Sequence, residues 1–361
     1  YCLRQAKINI SDIDLVTINS NPFSGIIKKF FFVISHLSAL KIAVLSLINT
    51  RKKITLSKFL SKIDSNEQFI GKIKFVDHHE AHIASSLLFS KFSECVNLSI
   101  DGFGDFASSA YGIYKNNKLE IDNKVSFPHS MGIFYQALTQ FLGFKSYGDE
   151  YKLMGLSSYG SPKYVNEISK IILKTKKGFK LNLKYFVHHK KKIFYTNDTG
   201  QFIYKNLYSN KLIELLGDER KNEEEISQEI LFHIINIIYK KYALDKLTIS
   251  GGCAMNSLAN GKIVKNTKFN EIYVSPNPGD AGGSIGSAAV ILNKKYKEQL
   301  KVDNYSYLGP EYNNDEILKI INQKKLSQKF KIDFYEYNKL YPFIAKKLSE
   351  EKIVGWFQGR T

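Results

Sequence analysis

An α/β fold is predicted by three places where an apolar, extended run enters a glycine-rich turn. Residues 96–100 enter Asp101-Gly102-Phe103-Gly104-Asp105, and residues 247–250 enter Gly251-Gly252-Cys253-Ala254-Met255-Asn256. Residues 272–275 enter Pro276-Asn277-Pro278-Gly279-Asp280-Ala281-Gly282-Gly283, which opens onto an apolar helix over 284–292. Strands that feed turns and then helices pack those helices against a sheet.

The elements follow in order. The first seventy residues are helical by pattern, with Lys-rich links. Residues 74–76 read as a short strand leading into His78, and 83–89 as an apolar helix. Alternation over 96–100 gives a buried strand, and 107–114 is extended again, so the two make a hairpin around a Gly-rich tip. Residues 131–142 form an amphipathic helix, followed by a polar, Gly-containing segment over 148–156. Residues 165–220 are Lys-rich and weakly patterned, which reads as an insertion or peripheral layer. Residues 223–242 are a helix whose acidic start suits its dipole.

The 361 residues are enough for two lobes or one subdivided domain, and a 43% hydrophobic share supplies a core. The net charge of +18 comes from scattered short runs such as Lys190-Lys191-Lys192, with Arg rare and Lys, Ile, Asn, Phe and Tyr abundant. That pattern reads as a solvated basic surface rather than a nucleic-acid groove, and it attracts anionic substrates either way. Cys2, Cys95 and Cys253 form no CxxC pair, so a reducing cytoplasm is expected, and no secretory signal is visible. Residues 30–48 are apolar enough to suggest a span, but Lys41 lies inside and His36 nearby. A charge at mid-membrane is costly, so a buried or partner-facing helix is expected and no membrane span. The start at Tyr1 and the stop at Thr361, just after Ile353-Val354-Gly355-Trp356-Phe357, read as a fragment.

The sharpest chemical signal is His78-His79-Glu80-Ala81-His82. His78 and His82, four apart, share one helix face and can bind one metal; surface histidines at a polar helix start would look the same. It is not the zincin motif, because Ile83 stands where the second His belongs. Asp101 and Asp105 at a Gly-rich tip suit metal or phosphate handling. Gly102, Gly104 and Ala107 imitate a dinucleotide fingerprint, but an extended run follows instead of a helix, which excludes it. Asp280, between a strand and a helix, supplies a third carboxylate. Two His and two carboxylates suit Fe²⁺, Mn²⁺ or Zn²⁺. The Gly251-Gly252-x-x-x-Asn256 turn is either an ordinary strand-to-helix turn or a backbone contact for a nucleotide.

Together these stretches resemble the carbamoyltransferase family that includes nodulation-factor, cephem and aminoglycoside O-carbamoyltransferases. The resemblance runs over His78–Ser85, 101–105, Tyr135–Phe144, 149–160, 251–256 and 277–283, in the same order and approximate spacing. It implies an actin-like (ASKHA-type) duplicated α/β fold, with mixed sheets flanked by helices. It implies a bound divalent metal, Fe²⁺ above Mn²⁺ or Zn²⁺, with His78, His82, Asp101 and Asp280 as ligands. Gly102, Gly104, Gly251, Gly252, Asn256, Asn277, Gly282 and Gly283 would face the adenine nucleotide, ATP or carbamoyl-adenylate. Lys152 would contact carbamoyl or phosphate, or form a buried structural salt bridge. His79 and Asp105 are candidates for the general base, with support of the metal site as the other role for His79. The partners implied are carbamoyl phosphate, ATP and a hydroxyl-bearing small molecule or sugar, with no nucleic acid.

The same resemblance divides the chain into a first lobe over 1–125, a helical insertion and second lobe over 126–345, and the start of a carbamoyl-adenylating domain over 346–361. It also implies that the early phosphate-loop strands and most of the adenylating domain lie outside this sequence. Two other readings compete. A tRNA threonylcarbamoyl transferase would share fold and metal, and a non-catalytic actin-like nucleotide-binding protein would lack the metal.

Overall fold

A computed structural model describes residues 2–35, 60, 68–157, 165–191, 193–196, 202–217, 226–296 and 307–360. The chain divides into two compact units, Tyr1–Val302 and Asp303–Thr361.

In chain order the first unit contains α1 (Cys2–Ala6), β1 (Leu15–Ile18), α2 (Ile26–Ser35), β2 (Lys72–Phe75) and α3 (His78–Phe89). Three strands follow, β3 (Cys95–Gly104), β4 (Ala107–Lys115) and β5 (Lys118–Ser126), then α4 (Met131–Phe141), α5 (Glu150–Ser157) and α6 (Val165–Ser169). Next come hairpins β6 (Ile172–Thr175) with β7 (Gly178–Leu181) and β8 (Phe194–Thr196) with β9 (Phe202–Tyr204). The unit ends with α7 (Asn210–Leu216), α8 (Ile226–Tyr242), β10 (Lys246–Ser250), α9 (Ser257–Asn266), β11 (Glu271–Val274) and α10 (Gly282–Tyr296). The second unit holds α11 (Asn314–Gln323), which starts in a capping box between Asn313 and Glu316, and α12 (Tyr337–Ser349).

The main sheet has the order β11-β10-β3-β4-β5. β11, β10 and β3 run parallel, while β3, β4 and β5 form an antiparallel meander. This is a mixed sheet flanked by helices, and it draws strands from both sides of residue 125. β10 and β3 are buried through 247–250 and 95–100, the near-continuous apolar pattern expected of central strands covered on both faces. Their carboxyl ends therefore lie side by side, and both glycine-rich turns emerge there. In open α/β sheets this is where ligands bind.

Two expectations need correction. Residues 15–18 form a strand, parallel to β2, and not part of a helix. Val16, Thr17 and Ile18 are β-branched, which favours the extended state once a partner strand is present. The described residues of 165–220 are no peripheral layer. Ile168, Ile171, Phe179, Leu181, Leu207 and Leu212 are buried in the same apolar cluster as the sheet residues Leu98, Ile100 and Ile249. Their lysines point outward while alternate apolar residues point in, so composition masked the pattern. Most of the polar segment over 148–156 is helix α5.

Helices α3 and α10 pack closely on one face. A Cβ on Gly286 would stand 1.9 Å from the Ala81 carbonyl oxygen, so glycine permits the approach of the two backbones. Val76, Ala81, Ala84, Leu88, Ala289 and Val290 fill the contact. Among the described residues no helix is long and apolar enough to cross a membrane. The part of the 30–48 stretch beyond residue 35 lies outside the described residues. Cys2, Cys95 and Cys253 are free thiols.

His188 is buried among Phe103, Phe127 and Phe186, and its Nε2 donates to the Pro128 carbonyl at 2.8 Å. Burial lowers its pKa from the usual 6.5 to about 4. The unfolded chain therefore takes up this proton at a higher pH than the folded one. Stability from this group is complete above about pH 6.5 and is lost as pH falls toward 4, on the order of 3 kcal/mol over that window. Unfolding by denaturant at pH 7, 6 and 5 should show this slope, and His188→Gln should flatten it.

Candidate metal centre and its cavity

Helix α3 begins at His78, and Asp77 caps it, accepting from the Glu80 N–H at 3.3 Å. Lys124 Nζ and Ser24 Oγ hold the same Asp77 carboxylate at 2.6 and 2.8 Å. The start of α3 is thus fixed against β5 and the β1–α2 loop. From that start His78 and His82 face the end of β3, where Asp101 sits. The α3–α10 contact brings Asp280 to the same point, two residues ahead of α10.

The four side chains converge. His78 Nε2 lies 3.0 Å from His82 Nε2, 3.0 Å from Asp101 Oδ2 and 3.5 Å from Asp280 Oδ1. His82 Nε2 lies 3.4 Å from Asp101 Oδ2 and 3.3 Å from Asp280 Oδ1. Ligands about 2.1 Å from a divalent ion stand about 3.4 Å apart in a tetrahedron, or about 3.0 Å at adjacent octahedral corners. The observed edges fall on these values, so the donor set fits a first-row divalent ion in chemistry and spacing.

The surroundings orient the donors. His78 Nδ1 faces the Asn19 carbonyl at 3.3 Å, which suits an Nδ1–H tautomer and leaves Nε2 free to ligate. The Gly252 N–H donates to Asp101 Oδ1 at 3.1 Å and turns Oδ2 toward the histidines. Burial opposes charge on both Asp101 and His82, and pairing overcomes it. Hydrogen bonds with His78 and His82 hold the Asp101 carboxyl well below the usual range. Asp101 and Asp280 raise His82 to about 9. The pocket stabilises positive charge at its centre.

Asp101 and Asp280 also line a cavity of about 480 Å³, within the size range of small-molecule sites. Met131, Tyr135 and Tyr147 line it too, as do Glu150, the 252–256 turn and Asn260 at the start of α9. Cys253 is a wall residue too, and burial, with Asp101 and Glu150 nearby, pushes its thiol pKa up.

The sequence pattern of the family described as Carbamoyltransferase N-terminus matches residues 1–289. The chain belongs to that family. It is 30% identical to an uncharacterized protein of Synechocystis sp. over 389 aligned residues, covering all of this chain and 61% of that protein. It is 25% identical over 375 residues to nodulation protein NolNO of Sinorhizobium fredii, covering all of this chain and 51% of that one. The chain therefore spans between half and two thirds of these relatives. A solved structure of full-length HypF in a phosphate- and nucleotide-bound form aligns over 68% of this chain and 38% of its own, with 13% identity and a TM-score of 0.32. A likeness that small carries no argument.

For this carbamoyltransferase N-terminal chain, several expected site residues take other positions. His79 is fully buried, its Nδ1 2.9 Å from Ser99 Oγ, and burial next to His78 lowers its pKa to about 3. It does not line the cavity. Asp105 accepts from Ser20 Oγ at 2.8 Å, Asn21 N–H at 2.6 Å and His78 N–H at 2.8 Å, which occupies its carboxylate. Lys152 Nζ pairs with Asp149 Oδ1 at 2.7 Å, with 41% of its side chain exposed, so it is neither buried nor in the cavity wall.

Of the expected nucleotide contacts, Gly102, Gly252 and Asn256 line the cavity. Gly251 adjoins it, with φ +87° and its N–H donating to the Pro278 carbonyl at 2.7 Å. Gly104, Asn277, Gly282 and Gly283 do not line it. Gly104 makes room for the His78 ring instead, since a Cβ there would stand 2.0 Å from His78 Cδ2. Sequence reading missed Asn19, Glu150 and Tyr147. A hydrophilic Asn-Ser-Asn loop straight after a β-branched run was the available signal for Asn19.

Gly104→Ala should displace the His78 ring and weaken Co²⁺ binding at least tenfold, read by titration of the cobalt absorption bands. Unchanged affinity would show that the ring position does not matter.

Proposed function

We propose that this chain is the metal- and nucleotide-binding part of an ATP-dependent O-carbamoyltransferase. The reaction would transfer a carbamoyl group from carbamoyl-adenylate, made from carbamoyl phosphate and ATP, to a hydroxyl of a small molecule or sugar. One observation carries this reading. Two histidines and two aspartates from three chain segments converge, and the two aspartates line a cavity of about 480 Å³, in a chain of the carbamoyltransferase N-terminus family.

His78, His82, Asp101 and Asp280 would hold the ion, with Fe²⁺ preferred and Mn²⁺ or Zn²⁺ as the other choices. Bound there, it supplies Lewis-acid polarisation of a phosphate or carbonyl oxygen. The chain does the rest. Gly252 keeps Asp101 oriented through its N–H. Asn256 caps α9, accepting from the Ala259 N–H at 2.9 Å, so the positive end of that helix adjoins the cavity and favours a phosphate. Met131, Leu231, Ile249 and Ala254 make the wall apolar and exclude water from a reactive mixed anhydride.

In the transfer, the acceptor oxygen bonds to the carbamoyl carbon, the carbon–oxygen bond to AMP breaks, and the hydroxyl proton goes to a base. Glu150 is the wall carboxylate outside the ligand set, and its Oε1 has no hydrogen-bond partner. We assign the base role to it in place of His79 and Asp105.

The duplicated actin-like arrangement, with lobes over 1–125 and 126–345 and an adenylating domain opening at 346–361, belongs to the same proposal. The mixed sheet joins strands from both proposed lobes, since β10 pairs with β3 across residue 125, so the boundary there rests on the family resemblance alone. We place the reaction in the cytoplasm, where ATP is supplied and thiols stay reduced.

Given carbamoyl phosphate, ATP and a panel of alcohols, the intact protein should release pyrophosphate and AMP. Absence of both would end the proposal. His82→Ala should remove the metal by elemental analysis and abolish AMP release. Glu150→Gln should keep the metal and slow AMP release by a factor of about 100 or more, within the range of lost base catalysis.

A further inference from the structure

Three of the proposed ligands sit on rigid elements, but Asp280 does not. Its side chain is 73% exposed, and it lies in the loop between β11 and α10. An exposed loop carboxylate would ordinarily sample many orientations. Asn19, from the β1–α2 loop, touches both this loop and His78. Its Nδ2 donates to the Asp280 backbone carbonyl at 3.2 Å, while its own carbonyl faces His78 Nδ1. Gly283 leaves the space that the Asn19 amide fills, since a Cβ there would stand 2.3 Å from Nδ2. The next residues of the same loop, Ser20 and Asn21, are tied to Asp105, which also accepts the His78 N–H.

We infer that Asn19 is a positioning residue that clips Asp280 into the ligand set, with Asp105 anchoring the loop that carries it and Gly283 making room for its amide. The inference rests on the metal-site reading of the preceding section. It assigns Asp105, Gly283 and Asn19 to one bracket around the outermost ligand. Removing the clip leaves His78, His82 and Asp101 in place and frees Asp280. Supporting hydrogen bonds of this kind are worth roughly 10–100-fold in metal affinity.

The test is Co²⁺ binding to the full chain, read as Kd and as the intensity of the visible bands, for wild type, Asn19→Ala, Gly283→Ala, Asp280→Ala and Asn19→Ala/Asp280→Ala. Asn19→Ala should weaken binding about 10–100-fold and alter the bands toward those of Asp280→Ala. Gly283→Ala should do the same by displacing the amide. If Asn19 acts through Asp280, its removal should cost less than about twofold once Asp280 is alanine. An equal loss in both backgrounds, or affinity for Asn19→Ala within about twofold of wild type, would overturn the inference. Failure of the wild type itself to bind Co²⁺, or binding that survives His82→Ala, would instead defeat the metal-site reading.

Discussion

The site depends on one electrostatic constraint: two imidazoles buried at the start of α3 against the ionised carboxylate of Asp101. Burying such groups is costly unless they are paired, and the fold meets that condition before any ligand arrives. The Gly252 N–H, the Asn19 carbonyl and the Asp77 cap each fix a piece of it. The parallel pairing of β10 with β3 is what places the Gly252 turn beside Asp101. The Gly286 approach of α10 to α3 is what brings the Asp280 loop within reach. Sheet register and helix packing thus serve one small volume at the strand ends.

Much of this was legible in the residues. A four-residue spacing of histidines on a helix fixes a shared face whatever the rest of the fold does, and Asp101 at a strand end before glycine has few other uses. The glycine-rich turns marked where backbone and ligand approach. Side-chain direction was not legible. His79 is one residue from a proposed ligand, which on a helix turns it about 100° away, into the Ser99 side of the sheet. Asp105 is at a loop tip with φ +51°, and which groups it meets depends on the distant β1–α2 loop. Lys152 found its partner three residues back, at the residue just before its own helix, a local pairing that sequence resemblance does not reveal.

The remaining misreadings share a cause. Lysine-rich composition covered the alternation in 165–217, so buried residues such as Phe179 and Leu181 were read as peripheral. Strand β1 is four residues long and bounded by polar turns, too short for periodicity to separate it from a helix. Because Asn19 follows that strand directly, missing the strand meant missing the residue. Short parallel edges are set by their partner, here β2, and the partner is more than fifty residues away in sequence.

The exposure of Asp280 also bears on how an ion would enter and leave. His78, His82 and Asp101 are anchored by the folded core, whereas Asp280 closes the set from a surface loop. An ion could then reach the set after folding without any opening of the core, and a chelator could strip it from a chain that keeps its fold.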